Sequence, residues 1–200
     1  MASHDLESWA DRLYQTALVT LPDPTPEHIW QLARGQGRAG TAALLASALT
    51  GARPSAVPAP KSLDELLLSA SAGLAIEPDG PRGGPGPMTP RSPEDVIEVW
   101  TESELTSVHA GWSLESWKPR VIDAARWLLG EIQPDNATNL PWAVHVFASL
   151  GVTDGLVEAT MYAETLLHNC VVQGAGRPDG LSALILLDAA RQLRLERTAK

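Results

Sequence analysis

Apolar residues recur at three- and four-residue spacing along almost all of this 200-residue chain, and strictly alternating runs or β-branched clusters bounded by hairpin turns are missing. An α-helix turns once in about 3.6 residues, so this spacing gives each rod one oily stripe and predicts an all-α fold. Leu6, Trp9, Ala10, Leu13, Tyr14, Ala17 and Leu18 form the first such stripe, which stops before "PDPTP". Thr25 is placed to cap a second helix with Pro26 at its first position, where a missing N–H costs nothing. A third helix is expected over 39–50, closed by Gly51, and a fourth opens with Ser62 and Glu65 spaced as a capping box.

"EPDGPRGGPGPMTPRSP", residues 77–93, holds six prolines and four glycines, a composition that neither continues a helix nor pairs as a strand. It divides the expected organisation into an N-terminal helical part over 1–76, a flexible linker over 77–92 and a C-terminal domain over 93–200. Ser92-Pro93-Glu94-Asp95 reads as a helix start with its acids at the positive end of the dipole, leading to about residue 110. Val121, Ile122, Ala125, Leu128, Leu129 and Ile132 stripe the next helix, which ends before Pro134. Asn139 or Leu140 begins another that Gly151 terminates, and two more follow over 154–173 and 180–197, the last with Arg191, Arg194, Arg197 and Lys200 at its negative end. Antiparallel helical hairpins over 118–150 and 154–197, repeating at about 40 residues, are the expected architecture of this half.

"AARWLLGEIQPDNATNLPW", residues 124–142, resembles one turn of the α/α-toroid enzymes, the terpene cyclase and protein prenyltransferase group. There a helix of the pattern A-x-x-W/F-L-L ends on a Gln and an acidic turn. Ala124, Trp127, Leu128, Leu129, Gln133 and Asp135 carry the likeness over about twenty residues, with Asn136 in place of the glycine. It implies a helical hairpin; the catalytic acidic signatures of that group are absent, and the chain is too short for a full ring of hairpins. "DNATNLPWAVHVF" and "YAETLLHN" also resemble segments of an uncharacterised bacterial all-helical family, which implies a fold and no activity.

Charge narrows the partners. With 24 acidic against 15 basic residues the net charge is −9, which repels a phosphate backbone or an anionic membrane surface, so neither nucleic acid nor membrane is expected. No run reaches the roughly 18 apolar residues of a spanning helix, and the charged, amphipathic start does not read as a signal peptide. The one cysteine, Cys170, allows no internal disulfide and no cysteine-rich zinc module. A cytoplasmic location is expected, which makes the sequon Asn136-Ala137-Thr138 incidental.

Chemistry is sought where polar groups interrupt oily stripes. Leu156, Val157, Thr160, Leu167 and Val171 set a stripe on the 154–173 helix, and Glu164 falls within it, with His168 one turn on. Asp188 and Gln192 lie within the stripe of the last helix, and Glu104 lies along Val96, Ile97, Trp100 and Val108. His145 interrupts "WAVHVFA", and His109 sits at its helix end in "SVHAGW". Buried carboxylates must be paired or hydrogen-bonded, so Glu164 with His168, oriented by Asn139 or Asp188, is the expected minimum arrangement.

As a site, Glu164, His168 and His145 are the catalytic candidates, with Glu104, His109, Asn139 and Asp188 as a polar network. Spacing disfavours metal, because Glu-x-x-x-His replaces the Glu-x-x-His of carboxylate-bridged di-iron bundles and no His-Glu-x-x-His occurs. There is no Gly-x-Ser-x-Gly elbow, "GPRGGPGP" lacks the strand and Lys-Ser/Thr of a phosphate loop, and no cofactor is indicated. Five of seven tryptophans fall between 100 and 142, and they read as core packing before they read as the floor of a sugar or isoprenoid pocket. The leading expectation is a noncatalytic helical protein that binds a protein partner or assembles with itself. The alternative is an enzyme with an acid/base or metal-assisted site built from the residues above.

Overall fold

A computed structural model describes residues 2–54, 56, 59–75, 78–80, 84–131 and 138–198, the side chains of 2–4 and 197 excepted. These residues form nine helices and no strand, so the all-α reading holds: α1 (Ala2–Leu18), α2 (Pro26–Arg34), α3 (Ala39–Thr50), α4 (Leu63–Ser71), α5 (Ile97–Gly111), α6 (Lys118–Glu131), α7 (Val144–Thr153), α8 (Val157–Gln173) and α9 (Gly180–Thr198). No described helix is long and apolar enough to cross a membrane.

Local chemistry sets most of the boundaries. Thr25 Oγ1 accepts from the His28 N–H to cap α2, and Gly51, at φ 70°, supplies the left-handed residue that ends α3. Ser62 makes no side-chain cap; Glu65 reaches back to the Lys61 N–H instead, at 2.7 Å. Helix α5 starts at Ile97 rather than at Ser92, because Asp95 Oδ2 accepts from the Ser92 N–H at 2.7 Å and closes a turn there. Helix α7 starts only at Val144 and runs through Gly151 to Thr153.

The centre of the molecule is α9. Leu181 through Ala190 are buried without a break, the mark of a helix covered on every side. Helices α1, α2, α3 and α7 supply that cover. Helix α1 runs antiparallel to α9: Thr20 near its end bonds the Pro178 carbonyl, while Asp11 takes Arg194 at 3.0 Å. Leu6, Ala10, Leu13 and Ala17 form the inner face of α1 and join one continuous core with residues of every other helix. The expected hairpin of the last two helices is therefore not the main contact; α8 packs chiefly on α7, and α9 on α1.

The linker over 77–92 was expected to be flexible, yet its described part, 78–80 and 84–92, is fastened across α5 and α6. Arg120 donates to the carbonyls of Gly84 (3.1 Å), Gly86 (2.9 Å) and Pro87, and Gly84 N–H donates to Asp123 at 3.0 Å. Trp117 Nε1 donates to the Pro78 carbonyl at 2.8 Å and Trp100 Nε1 to that of Thr89 at 3.1 Å. A Pro/Gly-rich segment has carbonyls that no ladder claims, and side-chain donors satisfy them here. Four of the five tryptophans between 100 and 142 (Trp100, Trp112, Trp117 and Trp142) are buried in the core, and Trp127 packs against it edge-on to Trp100.

Small residues let α7 and α8 approach closely. A Cβ on Gly151 would lie 2.2 Å from Thr160 Oγ1 and 3.1 Å from the Thr160 backbone nitrogen. Gly151→Ala should therefore force the two helices apart and lower the unfolding free energy by about 1–3 kcal/mol, measured by urea denaturation, despite the better helix propensity of alanine.

Candidate functional site

Two helical stripes of α8 compete for the interior, and the one that wins is Ala159, Tyr162, Ala163, Leu166, Leu167 and Cys170. On the α7 side the close approach is made at Gly151, which sits against Thr160 of α8 where a larger residue would clash. This choice turns Glu164 and His168 outward, contrary to the expected inward pair. Glu164 is half-exposed and gives both oxygens to Arg12 of α1, Nη2 to Oε2 at 2.6 Å, while His168 is exposed to solvent. Asn139 is also exposed, on the rim of a hollow of about 530 Å³ with Glu98, Glu102 and Asp179, and joins neither of them. Val157 and Met161, 65% and 60% exposed, share the outer face of α8 with Val172, 55% exposed.

What the structure brings together is His109 of α5, His145 of α7 and Asp188 of α9, all buried. Asp188 Oδ2 accepts from His109 Nε2 at 3.1 Å and from Gln192 Nε2 at 2.6 Å, and Oδ1 accepts from Arg191 Nε at 3.0 Å and Nη2 at 2.8 Å. His109 Nδ1 accepts from the Ala143 N–H at 3.2 Å, which assigns the ring proton to Nε2. Ala143 itself sits in the left-handed region at φ 59°, ψ 10°, an arrangement that costs a non-glycine residue about 1 kcal/mol or more. The His109 ring stands edge-on to His145 with centroids 4.5 Å apart, and to Trp142 at 5.1 Å.

Burial opposes ionisation of Asp188, but the His109 hydrogen bond and the Arg191 charge outweigh it and hold the carboxyl well below the usual range. His145 goes the other way: burial, then the adjoining His109 ring, hold its pKa well below the ordinary 6.5, and the Asp188 charge counters without prevailing. Neither ring nitrogen of His145 has a hydrogen-bond partner among the described residues, nor do Gln192 Oε1, Trp142 Nε1 and Tyr162 OH. Gln192 and Trp112 separate His145 from a surface hollow of about 340 Å³, lined also by Lys118, Glu115 and Leu195.

Glu104, expected inward, is fully buried and serves the strap: it accepts from the backbone N–H groups of Met88 at 2.6 Å and Thr89 at 2.8 Å. Burial raises its pKa, against those two amides and the charge of Arg120. Cys170 is buried and pushed up to about 12 by burial, with the Asp179 charge adding, so it is no nucleophile at neutral pH. No group of three or more His, Cys, Asp or Glu among the described residues is placed to hold a metal ion. Sequence reasoning placed Arg191 on the helix dipole and missed it as the counter-ion of Asp188, although the three-residue spacing was visible. It missed Arg120 outright, whose partners are all backbone carbonyls.

Of the toroid-like motif, Ala124 and Leu128 are buried in α6 and Trp127 and Leu129 half-buried; Gln133, Asp135 and Asn136 lie outside the described residues, as do Ile132, Lys200 and the side chain of Arg197. No family model, curated protein or solved structure matches this chain.

Removing the carboxylate leaves His109 and Gln192 without their acceptor in a dry interior, so Asp188→Ala should cost about 3–5 kcal/mol in urea denaturation. Arg191→Ala, at a partly solvated guanidinium, should cost clearly less. The lowered pKa of His145 fixes a pH dependence as well. An unfolded chain takes up this proton near pH 6.5 and the folded one does not, so its contribution to stability is complete above that pH and declines as the pH falls from it. The slope is up to about 1.4 kcal/mol per pH unit per proton. His145→Gln should flatten the stability profile between roughly pH 6.5 and 5 relative to the parent chain.

Proposed function

We propose that this chain is a noncatalytic helical protein that works by associating, through the outer face of α8, with a protein partner or with itself. One observation carries the reading: Val157, Met161 and Val172 stand 55–65% exposed on one helix, whereas His109, His145 and Asp188 are closed off from solvent. An acid/base site has to converge on a cavity that substrate can reach, and an association site has to present apolar surface to water. The buried cluster then serves to fix the register of α5, α7 and α9, the best-attested use of a buried polar network. The net charge of −9 directs the partner away from nucleic acid.

A photo-crosslinking side chain at position 161, introduced in the cell the chain comes from, should give a discrete adduct. The same side chain at Glu27, on the exposed surface of α2, should not. Adducts at neither position, or equally at both, remove the reading.

The unpartnered nitrogens of His145 favour a second reading, an enzyme in which this neutral imidazole acts as general base once Gln192 swings away from the 340 Å³ hollow. Its requirement is that reagents reach the ring. Diethyl pyrocarbonate should then modify His145 in the folded protein, faster in Gln192→Ala. Full protection of His145 in both proteins removes this alternative.

A further inference from the structure

We infer that the start of α5 is a separate docking face, and that its occupant is a lysine- or arginine-rich segment of a partner protein carrying one aliphatic or aromatic anchor. The inference goes beyond the association reading above and does not depend on α8. Val96, the residue before α5, and Val99, one turn on, are 61% and 68% exposed, Val99 being the most exposed of the large apolar side chains described. One exposed valine is ordinary. This pair, however, leads into the hollow of about 530 Å³ that Val99 lines together with Leu140, half-buried, and Leu181, buried. Apolar surface therefore runs from the open helix face into a concavity large enough to take a side chain of another molecule.

Charge decides the occupant. Glu94, Asp95 and Glu98 are exposed beside the valines, and Glu98, Glu102 and Asp179 line the hollow. Arg38 is the one base among the described residues of that wall, and it is committed to Glu102. Asp179 Oδ1 accepts from the Ser182 N–H at 2.7 Å, which fixes the carboxylate at the head of α9 and leaves its charge uncancelled. The sequence offers no lysine or arginine between Arg91 and Lys118. Two copies meeting here across a two-fold would set these carboxylates against one another, and a phosphate backbone or an anionic membrane is repelled by them. A cationic segment is drawn in: its apolar side chain enters the hollow while its ammonium or guanidinium groups meet Glu98 and Asp179. Exposed ion pairs are individually weak, so the anchor supplies most of the affinity and the carboxylates select the partner.

Fluorescence anisotropy of a labelled KKLLKK peptide titrated with the full chain should show saturable binding that weakens as NaCl rises from about 50 to about 200 mM. EELLEE keeps the anchor and reverses the charge, and KKSSKK keeps the charge and lacks the anchor; each should bind at least about tenfold more weakly. Glu98→Lys should raise the Kd about fivefold or more and Val99→Ser about threefold or more, both at exposed positions that the core does not use. Glu27→Lys on α2, with the same change of net charge, should leave the Kd within about twofold. Absence of saturable binding, equal binding of KKSSKK, or equal losses from Glu98→Lys and Glu27→Lys overturns the inference. So does a self-association of the chain that Val99→Ser abolishes. The α8 reading survives each of these results, because the adduct at position 161 tests it separately.

Discussion

A carboxylate in the middle of a helix covered on all sides is the constraint around which this fold is arranged. Asp188 cannot face water, because α1, α2, α3 and α7 surround α9, so its charge is met inside by Arg191 and Gln192 of its own helix and His109 of α5. The demand passes onward: His109, having spent Nε2 on Asp188, takes the Ala143 N–H with Nδ1 and holds that residue in a left-handed turn at the entrance to α7. Three helices far apart in sequence thereby share one relative position. Apolar packing alone tolerates sliding of helices past one another, and a directional chain of hydrogen bonds does not.

A second buried carboxylate, on the same helix as His109, is satisfied by a different device. Glu104 and Arg120, from neighbouring helices, divide the backbone of the Pro/Gly-rich segment between them, the acid taking N–H groups and the base taking carbonyls. Prolines reduce the number of donors such a segment must satisfy, and its many unclaimed carbonyls suit a guanidinium fork. The strap acts as a clasp over α5 and α6, and it carries Met88 into the core.

The helices were legible in the sequence because their stripes are long and their punctuation is strong, as at Thr25-Pro26 and Gly51. Asp188, Gln192, Glu104 and the two buried histidines were legible for a related reason: each interrupts a run whose inward direction is unambiguous. Glu164 and His168 were misplaced because α8 has apolar residues on two faces. A count of large residues favours Val157 and Val171, whereas the buried face is the one carrying Ala159, Tyr162, Ala163 and Leu166, and Gly151 of α7 packs close against α8 at Thr160. Arg120 left no trace in any side-chain pattern, because backbone partners have no sequence signature. The pairing of α1 with α9 was hidden as well, since periodicity gives the oily face of a helix and not its neighbour.

That pairing has a consequence for how the molecule comes into being. Asp11 and Arg194, which meet across α1 and α9, are 183 positions apart, so α1 is matched to a helix synthesised long after it. Until α9 emerges, the oily side of α1 lacks its main packing surface and can rest only on α7, and neither α3 nor α7 has its central support. Contacts of such long sequence separation close late and slow the final collapse, leaving the nascent chain dependent on whatever shields those faces in the interval.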